Sequence, residues 1–191
     1  MRVIALAAAA LLAGCAGGPP PPDWQLNARG ALEQFERHYL AGDTQLAERE
    51  FGYARAEIAR TGRGDLLARA ELVRCAARTA SLEFDDCPGF QALRAEAGAE
   101  ELAYAEYIAG RGARAATQGP LSRLVAAGVQ LRTAKITPEG IANAVEIASL
   151  QGWRRPLLAW LSVQARRAEE AGDQESAAHI RRRIELITAG R

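Results

Sequence analysis

The chain has 191 residues, of which 49% are hydrophobic, 25% charged and 6% aromatic. This composition is typical of a globular protein and excludes a disordered or disulfide-rich chain. The formal net charge of +1 gives no electrostatic reason to expect nucleic acid as a partner. Two histidines and three cysteines leave little material for a metal site, so we expect neither a metal nor a cofactor.

A targeting signal occupies the first residues. Arg2 is followed by an unbroken apolar run, Val3–Ala13. A helix of this length spans roughly 16 Å, about half of a ~30 Å hydrocarbon core, which indicates a signal sequence rather than a membrane span. The run ends in Leu12-Ala13-Gly14-Cys15, which resembles the lipobox of bacterial lipoproteins. An ordinary secretory signal with an incidental cysteine is the alternative.

The lipobox resemblance implies where in the cell the protein is located. Cys15 would be lipidated and become the first mature residue, with residues 1–14 removed as the signal peptide. Ala16 stands where the family's inner-membrane retention signal has Asp, so the resemblance implies an outer-membrane protein facing the periplasm. Residues 15–22 would form the anchor and a linker, because two glycines are followed by four prolines that favour a stiff extended spacer.

The first half of the body, from Asp23 onward, shows helical periodicity and no strand pattern. Asp23 is a candidate N-cap for a first helix from Trp24, which ends at Ala41-Gly42-Asp43. Thr61-Gly62 separates the second helix from the third. The chain loosens from Phe84 to Gly89, and a fourth helix is predicted around Glu100 to Ala109.

The second half continues the helical pattern after a glycine-rich segment from Gly110 to Pro120. A fifth helix is predicted from Leu121. Thr137-Pro138-Glu139 is a strong start for a sixth, which ends at Gly152. The seventh helix ends at Ala171-Gly172-Asp173, where Asp173 caps the eighth. Residues 23–191 therefore read as one all-α domain of about eight amphipathic helices in antiparallel hairpins.

Two Ala-Gly-Asp turns join predicted helix pairs, at 41–43 and 171–173. Gly42 and Asp43 are followed by Ala47, Phe51 and Ala54 at the spacing of a tetratricopeptide repeat, which this segment resembles. The second copy is poorer, because Arg181 replaces a large apolar residue. The chain thus resembles a proteobacterial outer-membrane lipoprotein with tetratricopeptide-like hairpins. A helical bundle with two similar turns is the alternative to a repeat stack.

Cys75 and Cys87 remain once Cys15 is assigned to lipidation, and they are an even number in an oxidising compartment. Cys75 falls late in the third helix and Cys87 in the loop that follows it. The intervening chain is long enough to fold back, so a structural disulfide is predicted. Two free thiols are the alternative.

Catalytic motifs are absent from the sequence: there is no metalloprotease, nucleophile-elbow or P-loop pattern. No catalytic residue is assigned, and an enzyme is not expected. Candidate binding residues are the run Arg181-Arg182-Arg183 and the pair Tyr104 and Tyr107.

Two functions follow as expectations. The resemblance implies an adaptor or scaffold that binds an envelope protein in a helical groove, with Tyr104 and Tyr107 on its surface. The alternative is a binder of an anionic envelope ligand, cell-wall or lipid phosphate, through the C-terminal arginines.

Overall fold

A computed structural model describes residues 20–113 and 118–190. These residues form nine α-helices and one 3-10 turn and contain no strand, which confirms the predicted all-α class. The helices are α1 (Asp23–Ala41), α2 (Thr44–Ala59), α3 (Gly64–Ala80), α4 (Pro88–Gln91), α5 (Ala99–Ile108), α6 (Pro120–Arg132), α7 (Pro138–Leu150), α8 (Arg154–Glu170) and α9 (Gln174–Ala189); the 3-10 turn is Arg94–Glu96. The short α4 and this turn occupy the stretch between the third and fourth predicted helices.

Two short turns at each end of the chain contain a glycine in the left-handed conformation. Gly42 and Gly62 follow α1 and α2, and Gly152 and Gly172 follow α7 and α8, all with left-handed φ between 66° and 95°. A glycine adopts this conformation without the steric cost that a Cβ adds, and its backbone N–H closes the preceding helix. The two glycines are twenty residues apart at both ends of the chain.

Local capping explains where two of the helices begin. The Thr137 hydroxyl accepts a hydrogen bond from the Gly140 backbone N–H at 3.1 Å, and the Asp173 carboxylate accepts one from Ser176 at 3.0 Å. Both predicted caps are confirmed. The predicted Asp23 cap is wrong by one residue. Pro22 is the N-cap and its carbonyl accepts from Gln25 at 2.9 Å, which places Asp23 inside the first turn.

The core consists of two clusters of buried side chains that meet at α3. The first lies among α1, α2 and α3 and includes Phe35 and Phe51; the second extends from α3 to α9 and includes Trp160. Ala70 and Ala77 of α3 belong to the first cluster, whereas Leu72, Cys75, Ala76 and Ala80 of the same helix belong to the second. The two faces of α3 therefore join the N-terminal hairpin to the rest of the molecule.

The contacts between helices form a closed ring. α3 contacts α1 and α6, α6 contacts α7, α7 contacts α8, and α8 contacts α1 as well as α9. The indole N–H of Trp160 on α8 donates to the carbonyl of Ala80 at the end of α3 at 3.1 Å. These contacts favour a closed bundle over an open row of hairpins.

Candidate functional site

A groove of about 710 Å³ lies between the start of α7, the second half of α8, and α9. Its apolar lining includes Ile141, Ala168 and Ile180. Its polar lining consists of Gln164, Arg167, Glu175, Ser176, His179, Arg182 and Arg183. We call this surface the arginine groove. Of the described grooves on the molecule, it combines an apolar floor with the largest excess of positive charge.

Helical geometry separates the three consecutive arginines of α9. Because successive residues are about 100° apart, Ser176, His179 and Arg183 share one face of the helix with Arg182. Arg181 lies on the opposite face and donates to the Glu169 carboxylate at 2.5 Å. The structure therefore brings two of the three predicted arginines, Arg182 and Arg183, into the groove and leaves Arg181 outside it.

Arg167 is the third arginine of the groove, and its position follows from α8. Arg167 and Ala168 lie one turn beyond Gln164, and all three line the same groove from α8. The run of three arginines on α9 supplied the predicted binding residues, and the Arg166-Arg167 pair of α8 was expected only to contribute to a common positive face. The signal that identifies Arg167 is its position three residues after Gln164, on the side of α8 that lines the groove.

The arginines of the groove have no partner. Among the described residues, the side chains of the following arginines make no ion pair, hydrogen bond or ring contact: Arg49, Arg123, Arg166, Arg167, Arg182 and Arg183. Glu175 also lines the groove but pairs with none of its arginines within 4.0 Å. Most other described arginines contact a carboxylate. Three of the six unpaired arginines, Arg167, Arg182 and Arg183, line the arginine groove, where their charge can meet an external anion.

The two candidate tyrosines lie elsewhere, on α5. Tyr107 is buried at 6% exposure, and Tyr104 is half-buried with its ring centroid 6.0 Å from that of Tyr107. Burial, with Tyr107 and Glu36 as smaller causes, raises the pKa of Tyr104 to about 12. Tyr107 thus supports Tyr104 from the core side and does not form an exposed surface with it.

A polar cluster that the sequence did not reveal surrounds Arg155 of α8. Its guanidinium donates to the Tyr39 carbonyl at 2.7 Å, to the Glu83 carboxylate at 3.1 Å and to the Thr44 hydroxyl at 2.5 Å. The same guanidinium lies 4.3 Å from the centroid of the Tyr39 ring. These groups come from positions more than seventy residues away in sequence, so no local pattern could have identified them.

The loop after α3 is fixed by arginines and by the predicted disulfide. Cys75 and Cys87 are bonded, with their Cα atoms 5.8 Å apart. Arg78 pairs with Asp85 at 2.9 Å, and Arg132 of α6 donates to the Asp85 carbonyl at 3.2 Å. This loop is therefore part of the structural framework.

Potential ligand atoms for a metal converge at one point among the described residues, at Cys75, Asp85 and Cys87. Because the two sulfur atoms are bonded to each other, they do not supply thiolates. The carboxylate of Asp85 already pairs with Arg78 and accepts a hydrogen bond from the Cys87 backbone N–H. The disulfide and the Asp85–Arg78 ion pair therefore link the loop to α3.

No family model, curated protein or solved structure matches this chain. The predicted signal peptide, residues 1–14, and the predicted lipidation site, Cys15, lie outside the described residues. Within the part that the structure does describe, none of the helices combines the length and apolar character needed to cross a membrane.

Proposed function

We propose that this protein is a periplasm-facing adaptor, anchored to the outer membrane through Cys15, that binds a segment of an envelope protein in the arginine groove. The lipobox at 12–15 supports the anchor and the address. The unpaired arginines of the groove support the binding role. They are the single observation that carries the proposal.

Three unpaired guanidinium groups in one groove repel one another, and an anion between them relieves that repulsion. The planar guanidinium fork binds a carboxylate through two parallel hydrogen bonds. The floor formed by Ile141, Ala168 and Ile180 offers apolar surface beside these cations. A protein segment in which acidic residues alternate with apolar ones supplies both kinds of contact.

The second candidate is a binder of cell-wall or lipid phosphate, and the same arginines favour it. Phosphate oxygens form the same bidentate contacts with guanidinium groups as carboxylates do. Such a ligand would use Arg167, Arg182 and Arg183 and leave much of the apolar floor exposed to water. We therefore rank a phosphate ligand second to an acidic protein segment.

Photo-crosslinking in cells tests the adaptor function. A photo-reactive amino acid replaces His179, which is exposed and lines the groove. The control position is Glu185, which is exposed on α9 but lies outside the groove lining. We expect one envelope protein to be crosslinked from position 179 alone, and to be lost in the variant R167Q/R182Q/R183Q. Equal crosslinking from both positions would contradict the proposal, and recovery of lipid or wall fragments would favour the second candidate.

The anchor has a separate test. Cys15→Ser removes the thiol that the lipobox would present for acylation, so the variant should move from the membrane fraction to the soluble periplasmic fraction. Metabolic labelling with palmitate should mark the parent protein and not the variant. A parent protein that is already soluble would show that Cys15 belongs to an ordinary secretory signal.

A further inference from the structure

A second groove, of about 330 Å³, lies between the first part of α1 and α3, away from the arginine groove. Trp24 lines it near the start of α1, and its apolar lining consists of Ala28, Leu32, Ile58, Leu66, Ala70 and Val73. We call it the Trp24 groove. Its volume fits a few aliphatic side chains and is too small for a packed helix.

The charged groups around the Trp24 groove differ from those of the arginine groove. Arg29 pairs with Glu33 at 3.0 Å, and Arg69 of α3 pairs with Glu101 at 2.7 Å. Both cations at the groove are therefore already neutralised. Glu36, by contrast, lines the groove and makes no ion pair or hydrogen bond within the part of the chain that the structure describes.

The carboxylate of Glu36 is in an unfavourable environment for a negative charge. It is half-buried, and the pKa of Glu36 is raised first by this burial and then by the neighbouring carboxylate of Glu33. The Glu36 carboxylate in turn contributes to the raised pKa of Tyr104 on α5. A positive charge brought to this point would be paired in a partly desolvated place, where a Coulombic contact is stronger than in water.

We propose that the Trp24 groove binds an apolar polypeptide segment that carries one basic side chain, with aliphatic side chains on the groove floor and the cation on Glu36. Two features of the groove carry this inference. The unpaired, half-buried carboxylate complements a basic side chain, and the apolar floor complements aliphatic side chains. With the arginine groove at α7–α9, the molecule would hold two segments of opposite charge. The proposal extends the adaptor function but rests on residues that the arginine groove does not use.

Two capped pentapeptides test this site, one with lysine and one with glutamate at the centre of four leucines. Binding to the mature chain carrying Cys15→Ser is measured by calorimetry and by tryptophan fluorescence. We expect the lysine peptide to bind and to change the fluorescence, and the glutamate peptide to bind at least about tenfold more weakly. Trp24→Phe should remove the fluorescence change, because Trp153 and Trp160 do not line the groove.

Glu36→Gln is the decisive variant, since it keeps the shape of the side chain and removes the charge. We expect it to weaken binding of the lysine peptide by about tenfold, whereas Glu185→Gln, on the exposed surface of α9, should leave it unchanged. R167Q/R182Q/R183Q should also leave it unchanged, so failure here is distinguishable from failure of the arginine groove. Equal binding of both peptides, no binding of either, or a dimer that covers Trp24 would overturn the proposal.

Discussion

At the scale of single residues, Arg155 contacts three distant parts of the chain. It connects α8 to the end of α1, the start of α2 and the loop after α3. The side chain is 21% exposed, so its contacts are partly shielded from water. Burial, followed by the nearby Glu83 carboxylate, raises the pKa of Tyr39 in the same cluster.

Arg155→Ala should lower the free energy of unfolding by about 2–3 kcal/mol, because it leaves the Glu83 carboxylate and the Tyr39 carbonyl without this donor. Arg155→Lys should recover part of the loss, since one ammonium group does not span three acceptors. Urea unfolding monitored by circular dichroism measures both changes.

Arg123→Ala is the matched control, because Arg123 is exposed on α6 and has no polar partner within the described ranges. Its effect should stay within about 0.5 kcal/mol. Equal losses in Arg155→Ala and Arg123→Ala would show that the cluster at α8 does not stabilise the fold.

At the scale of elements, the crossing of α3 and α6 depends on a missing side chain. A Cβ on Gly128 would lie 2.4 Å from the Thr79 carbonyl oxygen, closer than real contacts permit. The two helix backbones therefore approach at a distance that only glycine allows. Gly52 offers a contrast, since a Cβ there meets no atom within 4 Å in α2.

Gly128→Ala should destabilise the protein by about 1–3 kcal/mol, because α3 and α6 must move apart to accept the methyl group. Gly52→Ala should instead stabilise it by about 0.5–1 kcal/mol through helix propensity alone. Thermal unfolding of the two variants separates packing from propensity. Stabilisation by Gly128→Ala would contradict the close approach of these helices.

The same elements show what sequence can predict here. Thr137 and Asp173 predict where their helices begin, because capping is a contact between neighbours in sequence. The disulfide was also predictable, from the count and spacing of the cysteines. The contacts of Arg155 and the convergence of α8 and α9 on one groove are different, because they depend on how distant helices pack. For that reason the sequence assigned Arg167 no binding role and did not show that Arg181 lies outside the groove.

At the scale of the whole molecule, the charge available for binding depends on which charged side chains are paired as well as on the composition. The formal net charge is only +1, which by itself predicts no strong attraction for an anion. The fold nevertheless pairs most described arginines with acceptors and leaves Arg167, Arg182 and Arg183 unpaired around one groove. We infer that local charge at α7–α9, rather than the balance of the whole chain, determines what this protein binds.

The most direct measurement of this claim is the affinity of residues 15–191, carrying Cys15→Ser, for an acidic peptide in which glutamates alternate with leucines. R167Q/R182Q/R183Q is compared with R49Q/R123Q/R166Q, which removes the same charge from unpaired arginines outside the groove. We predict salt-sensitive binding that falls at least about tenfold in the groove variant and less than about threefold in the other. Equal losses in the two variants would show that affinity follows net charge and that the groove is not the binding site.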